Sequence, residues 1–197
     1  GSIPMSGRVL LEASGDLAWA TYSASDSLVR VDRQGRRRVF RLSALGLPPV
    51  PVSTREFQAA RARAVAEAAD ESRKELAEVL YDLPRPARAP AVSGLVPGLN
   101  GELWLQRFSL DDTRPVEFVV LDAQGKPVAE LALPPRSAVY EVGRDYVLLG
   151  IKDADDVEVV ALFDLKRSPS RATRRWRPRG DGSAAQSGDT CVRRHLQ

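Results

Sequence analysis

The pattern of the stretch "GDLAWATYSASDSLVRVDRQGRRRVFRL" (residues 15–42) is repeated in "GELWLQRFSLDDTRPVEFVVLDAQGKPVAELAL" (residues 101–133), and the expected fold follows from this repetition. Each copy runs from glycine, an acidic residue and leucine through a tryptophan and an acidic loop to Asp-x-Gln-Gly. A third copy begins at Gly143, and its aspartate follows 21 residues later, the same spacing as between Gly101 and Asp122. Apolar runs separated by such turns are typical of antiparallel strands.

Each copy is interpreted as a unit of four strands. In the second unit we predict strands at about 91–97, 102–109, 116–122 and 127–133, with Asp-x-x-Gly as the turn between the last two. The third unit ends in "VEVVALFDLKR" (157–167), and the prolines and arginines that follow do not continue a strand. We therefore predict that its C-terminal end does not supply a fourth strand.

Repeats of about 40 to 45 residues with four strands each are typical of β-propeller blades. Inner strands that are apolar on both sides suit blades that stack face to face. The fold class predicted is mainly β, a partial β-propeller of about three four-stranded antiparallel blades. The alternative is an antiparallel sandwich of about eleven strands.

The segments "GELWLQR" (101–107), "VEFVVLDAQGKPVAELALP" (116–134) and "VYEVGRDYVLLGIKDADDVEVVALFDLKR" (139–167) resemble the C-terminal blades of bacterial six-bladed β-propeller proteins of the NHL-like type. The resemblance covers most of residues 8–166. It implies a ring of six blades, and an exported or periplasmic location for the full-length protein. The compartment of this chain itself is left unknown.

The predicted domain organisation follows these units. It consists of a first blade, a helical insertion, a second blade, a third and incomplete blade, and a flexible, disordered basic tail. Their boundaries are 7–42, 43–89, 90–136, 137–166 and 167–197.

The insertion between the first two units changes from a period of two to a period of about 3.6, which predicts a helical hairpin or a kinked helix. Ser53 and Glu56 have the spacing of a capping box, and Asp70 is a second candidate cap. The residues expected to face inward are Phe57, Ala60, Ala64 and Ala68 in the first helix and Leu76, Val79 and Leu80 in the second. The insertion is either a lid or docking element, or a cover for an exposed sheet edge.

The charge of the chain is divided unevenly. Residues 167–197 carry eight arginines and two aspartates, whereas residues 1–166 carry 21 basic and 24 acidic residues. The tail has the composition of a flexible basic segment, or of a non-native extension, and Trp176 among its arginines could stack on a nucleic-acid base. Nucleic-acid binding through the tail is a minor hypothesis, and no apolar run is long enough to span a membrane.

The sequence contains no recognisable catalytic constellation and predicts no cofactor. The nucleophile elbow, the phosphate loop and the dinucleotide fingerprint are absent from the sequence. Cys191 and His195 have a spacing seen in zinc sites, but two ligands do not complete one. The weak metal candidates are turn carboxylates, interpreted as solvated: Asp111, Asp112, Asp153, Asp155 and Asp156.

These observations favour a non-catalytic binding or scaffolding module, expected to be a fragment of a longer six-bladed propeller. The alternative from the resemblance is a hydrolase or lyase with its site at the mouth of the channel. The expected partner is a protein, or the missing blades, along the open flanks. A homodimer would make a ring if three blades came from each chain and each N-terminal strand completed the partner's last blade.

Overall fold

The computed structural model describes residues 8–152 and 157–166, together with the backbone of residues 192–195. Its first sheet, sheet 1, contains β1 (Val9–Ser14), β2 (Leu17–Tyr22), β3 (Ser27–Asp32) and β4 (Arg37–Arg41). All neighbours in this sheet are antiparallel and follow chain order, so the first unit forms a four-stranded meander as the repeat predicts.

The chain leaves sheet 1 through a short 3-10 turn that is fixed by Asp26. The carboxylate of Asp26 accepts hydrogen bonds from the backbone N–H of Ser43, at 2.7 Å, and from its hydroxyl, at 2.6 Å. The hydroxyl of Ser43 is the main reason that the pKa of Asp26 lies below its ordinary value. This acidic side chain is therefore a turn-forming residue.

The second sheet, sheet 2, confirms the strand prediction for the repeat. It contains β7 (Val92–Pro97), β8 (Leu103–Arg107), β9 (Val116–Leu121) and β10 (Pro127–Leu133), again antiparallel in chain order. Each boundary lies within two residues of the predicted one, because the turns between these strands are encoded locally.

The third sheet, sheet 3, contains β11 (Ser137–Val142), β12 (Tyr146–Lys152), β13 (Glu158–Leu165) and β14 (Val192–His195). The prediction that the C-terminal end supplies no fourth strand was wrong, because β14 pairs with β13 from Leu162 to Leu165. A strand edge can be paired by a segment that is distant in the sequence, and the local pattern after β13 does not reveal such a pairing. The rest of the predicted tail lies outside the described residues.

The three sheets stack in chain order, with sheet 2 in the middle. One core lies between sheets 1 and 2, and a second core lies between sheets 2 and 3. The first strands of sheets 1 and 2, β1 and β7, lie side by side, and the hydroxyl of Ser14 donates to the carbonyl of Gly98 at 2.6 Å. The three four-stranded sheets therefore form three layers, whereas a sandwich would have two.

The insertion is a helical hairpin on a short β-ribbon. The ribbon pairs β5 (Val50–Pro51) with β6 (Arg88–Ala89), and the helices are α1 (Thr54–Ala66) and α2 (Asp70–Asp82). The ribbon was not predicted, because two-residue strands leave no periodic pattern. It brings the two ends of the insertion together at the side of the sheets.

The cap of α1 and three of its four expected inward residues were predicted correctly, whereas Ala68 lies beyond the end of α1 and is only half-buried. Ser53 and Glu56 form the capping box, and the inward residues Phe57, Ala60 and Ala64 are buried. Two expectations for α2 were wrong. Asp70 is its first residue and makes no side-chain cap, and Val79 is 55% exposed beside the buried Leu80.

Candidate interaction surfaces

The strand register defines which positions of the three sheets are equivalent. Trp19 pairs with the residue two before Asp32, and Trp104 pairs with the residue two before Asp122. In sheet 3, Leu148 pairs with the residue two before Asp164. Trp19, Trp104 and Leu148 thus occupy equivalent positions in sheets 1, 2 and 3.

These three residues lie on the forward face, the side of each sheet that points towards the next sheet in the chain. Trp19 belongs to the core between sheets 1 and 2, and Trp104 to the core between sheets 2 and 3. Both tryptophans are at most 1% exposed. The forward faces of sheets 1 and 2 are therefore covered, and Leu148 marks the forward face of sheet 3.

The back face is the opposite side, which points towards the preceding sheet. In sheet 2 it presents Leu105 and Val119, which pair across β8 and β9 and belong to the core shared with sheet 1. In sheet 3 the equivalent pair is Leu149 and Ala161, in the core shared with sheet 2. Side chains that point to alternate sides let one strand contribute to two cores.

The back face of sheet 1 has no such cover within the described residues. The equivalent pair here is Ala20 and Val29, and in the same cross-strand row Leu11 is 67% and Val39 is 63% exposed. The neighbouring rows continue the apolar surface. The members of this open back face are Val9, Leu11, Ala13, Ala18, Ala20, Tyr22, Val29, Val31 and Val39.

The forward face of sheet 3 is also open in the part of the chain that the structure describes. Leu148 is half-buried there and pairs with Leu162, which is 41% exposed. Val160 is 59% exposed two residues away, and Tyr140 extends over Gly150 with half of its surface exposed. Two apolar sheet faces are therefore open at opposite ends of the stack, a feature that marks interaction surfaces.

Polar contacts from the third and fourth strands of sheet 1 hold this sheet against sheet 2. The guanidinium of Arg30 donates to the carbonyl of Ala123, and that of Arg38 donates to the carbonyl of Gln124 at 3.3 Å. Both carbonyls belong to the Asp-x-x-Gly turn of sheet 2. The turn is thus part of the contact between sheets as well as a link between strands.

The acidic loop between β8 and β9 anchors the helical insertion. Arg63 on α1 lies 3.1 Å from Asp112 and also donates to the carbonyl of Leu110. Below them Phe57 of α1 packs in a small core with Phe108 of the loop. The insertion therefore rests on sheet 2, which favours its interpretation as a packed cover.

Asp111 has a separate role inside the same loop. Its carboxylate accepts hydrogen bonds from the Thr113 hydroxyl at 2.7 Å and the Thr113 backbone N–H at 3.1 Å, and it pairs with Arg114 at 3.2 Å. These contacts, led by the hydroxyl, lower the pKa of Asp111 below its ordinary value. Of the two metal candidates in this loop, Asp111 therefore makes contacts within the loop, and Asp112 makes the ion pair with α1.

The other weak candidates give no site that can be described. Asp153, Asp155, Asp156 and Cys191 lie outside the described residues, and of His195 only the backbone is described. Among the described residues, no group of three or more histidine, cysteine, aspartate or glutamate side chains is placed to hold a metal ion.

The buried hydroxyls and the surface depression show no catalytic grouping. Ser14, Thr21 and Ser23 are buried, and each hydroxyl is hydrogen-bonded to backbone. A shallow depression of about 370 Å³ is lined by residues of α2 alone, including Lys74 and Tyr81. Ligand sites usually combine polar groups from several elements in an enclosed pocket, and this depression does not.

Within the described part of the chain, neither helix has the length and apolar composition that a membrane span requires.

No protein-family model, no curated protein and no solved structure matches this chain.

Sequence reasoning predicted the strands and expected open flanks, but it did not identify the residues that form the two open faces. The sequence does contain a marker for each face. The residue two positions before each turn aspartate lies on the forward face, and the residue three positions before it lies on the back face. These markers could be applied only once the structure showed that the tryptophans are equivalent: Trp19 follows Gly15 by four residues, whereas Trp104 follows Gly101 by three. An alignment on the glycines would exchange the two faces.

Proposed function

We propose that this chain is a non-catalytic β-propeller module for binding or scaffolding, in which the three sheets are consecutive blades of a six-bladed ring. The observation that supports this proposal is the repeated stacking: equivalent positions form the forward face and the back face of each sheet, and the middle sheet is covered on both. Propellers are built from such radial repetition of four-stranded sheets.

Blades in a ring fan out from a central axis, so their first strands lie closer together than their later strands. The close contact between β1 and β7 agrees with this arrangement. The back face of sheet 1 and the forward face of sheet 3 would then be the surfaces that meet the other blades of the ring. Binding or scaffolding fits the described residues, since the carboxylates of Asp26, Glu56, Asp111 and Asp112 serve a turn, a helix cap, a loop and an ion pair.

The fan geometry can be measured with pairs of spin labels across the stack. One pair replaces Leu11 and Ala138, on the first strands of sheets 1 and 3, and the other replaces Val29 and Val160, on the third strands. Cys191 is changed to serine, and labelled protein is diluted with unlabelled protein so that only distances within one chain contribute. Blades predict a longer distance for the third-strand pair, whereas equal distances would contradict the proposal.

The absence of catalysis is tested separately, because the alternative is a propeller hydrolase or lyase. The purified chain is assayed on ester, lactone and phosphoester substrates, with and without added divalent cations. We expect no turnover above the buffer rate. Turnover that co-purifies with the protein and is abolished by a single substitution of a described surface residue would contradict the proposal.

A further inference from the structure

The two open faces are of the two kinds that pack together elsewhere in the chain. A forward face packs on a back face once between sheets 1 and 2 and once between sheets 2 and 3. Between sheets 1 and 2, the forward position Trp19 packs with the back-face residues Leu105 and Val119. Between sheets 2 and 3, Trp104 packs with their equivalents Leu149 and Ala161. A third contact of this kind needs a forward face and a back face, and the chain leaves one of each uncovered in its described part.

The shapes of the two open faces are complementary. The back face of sheet 1 has small side chains at its centre, namely the half-buried Ala18, Ala20, Val29 and Val31. The forward face of sheet 3 projects Leu148, Leu162 and Val160. Large side chains on one face and small ones on the other are what close packing of two layers requires.

Charged side chains lie at the margins of both faces. On the back face of sheet 1, Arg37 and Arg41 lie on either side of Val39 along β4. On the forward face of sheet 3, Glu158 and Asp164 lie at the two ends of the β13 positions that include Val160 and Leu162, and Lys152 pairs with Glu158 across the strands. The two arginines disfavour contact of the back face with itself, whereas the two carboxylates of the other face can meet them.

We propose that the occupant of both open faces is a second copy of this chain. The forward face of sheet 3 in each copy packs on the back face of sheet 1 in its partner, and the two contacts close a two-fold ring of six sheets. A contact between different surfaces of identical subunits forms a closed ring when the rotation between subunits closes. This inference rests on the proposed function, since it treats the sheets as blades.

The ring needs no exchange of strands between the copies. The edge of β13 that faces away from β12 is paired with β14 of the same chain from Leu162 to Leu165. The N-terminal strand of a partner is therefore not required there. β1 stays paired with β2 within its own sheet. The partners therefore meet through side chains on sheet faces, and single substitutions on those faces test the contact.

The test uses the full chain and two charge substitutions, one on each face. Val29→Glu places a negative charge on the back face, and Leu162→Lys places a positive charge on the forward face. Val128→Glu is the control, because Val128 is 54% exposed on β10 and lies on neither open face. Circular dichroism and thermal unfolding of each variant check that the monomer still folds.

Molar mass is measured by light scattering on a sizing column over a range of concentrations. The unaltered chain and the control are expected at twice the 21.5 kDa of one chain. Each face variant alone is expected as a monomer, with dimer dissociation increased by at least about 100-fold, since a charge is buried without a partner. A mixture of the two variants is expected to recover the dimer, because one contact is then unaltered and the other pairs glutamate with lysine.

Each other outcome contradicts the inference in a distinct way. A dimer that is lost with Val29→Glu but kept with Leu162→Lys would show that back faces pair with each other. Growth into long polymers would show that the contact does not close. A monomeric chain would reject the second copy as the occupant while leaving the blade geometry intact, because the spin-label distances test that geometry within one chain.

Discussion

The phenyl ring of Phe40, on the last strand of sheet 1, lies directly against the α-carbon of Gly125 in the turn between β9 and β10 of sheet 2. A methyl group added to Gly125 would overlap this ring. Gly125 also has a φ of 80°, which favours glycine. The glycine of the repeat therefore serves the turn and the contact between sheets at the same time.

Gly125→Ala is predicted to destabilise the chain more than Gly35→Ala. Gly35 occupies the equivalent turn of sheet 1 with a φ of 73°, but a methyl group there would meet no neighbour within 4 Å. Alanine in the left-handed conformation costs about 1–2 kcal/mol at both positions. Overlap with Phe40 adds about 1–3 kcal/mol at Gly125 alone. Urea unfolding at one protein concentration measures both, and equal losses would refute the contact.

Ser53→Ala is predicted to lower the stability of the helical insertion by about 1 kcal/mol, the usual loss for an N-cap. The Ser53 hydroxyl accepts from the backbone N–H of Glu56 at 3.2 Å, and Glu56 reaches back to the N–H of Ser53 at 3.1 Å. Ser72→Ala is the matched control, since Ser72 lies in the first turn of α2 and caps nothing. Hydrogen exchange of the α1 amides should accelerate in the first variant only.

The same capping box predicts a pH dependence. The hydrogen bond from the Ser53 hydroxyl lowers the pKa of Glu56 below its ordinary value of 4.5. Because the folded-state pKa is the lower one, the contribution is present above pH 4.5 and is lost as the pH falls through the folded-state pKa. NMR titration of Glu56 measures this, and Ser53→Ala should move the pKa back up. An unchanged pKa would count against the box.

The ion pair between Arg63 and Asp112 is predicted to hold the insertion on sheet 2. A double-mutant cycle with alanine should give a coupling of about 0.5–1 kcal/mol, because both side chains are partly shielded and Arg63 makes a second hydrogen bond. Arg73 and Asp70 within α2 form the comparison pair at 2.9 Å, for which about 0.3 kcal/mol is expected. Similar couplings for the two pairs would argue against an anchor.

Tyr146 is predicted to lose its phenolic proton at a higher pH than an ordinary tyrosine. Its hydroxyl donates to Glu141 at 2.5 Å, and this hydrogen bond raises the pKa of Tyr146 above 10.0. The contribution to stability is present below pH 10.0 and is lost as the pH rises through the raised pKa. Ultraviolet titration of phenolate absorbance should show one late tyrosine. Glu141→Ala should return the pKa of Tyr146 towards its ordinary value, and Tyr146→Phe should remove that transition altogether.

The sequence predicted those features whose cause is local. The turns at Asp122 and Gly125, the capping box at Ser53 and the strands around them depend on residues a few positions apart, so their pattern could be recognised directly. The inward side of α1 was also predictable, because Phe57, Ala60 and Ala64 recur at the helical period.

The features that were missed depend on residues distant in the chain. The pairing of β14 with β13 joins residues 165 and 192, and nothing near either strand indicates the other. The role of Asp112 became clear only when Arg63, far away in sequence, was found beside it. Val79 was expected inside because its spacing fits the inner face, but α2 contacts its surroundings through a narrower stripe.

The repeated four-stranded units and the capped helical insertion can be recognised from the amino-acid sequence alone, because hydrogen bonding along the backbone and the alternation of apolar residues are properties of short segments. Which apolar faces are covered depends on the tertiary structure. Ala20 and Leu105 have the same place in the repeat, yet one lies on an open face and the other inside a core, because burial depends on the order in which the sheets stack.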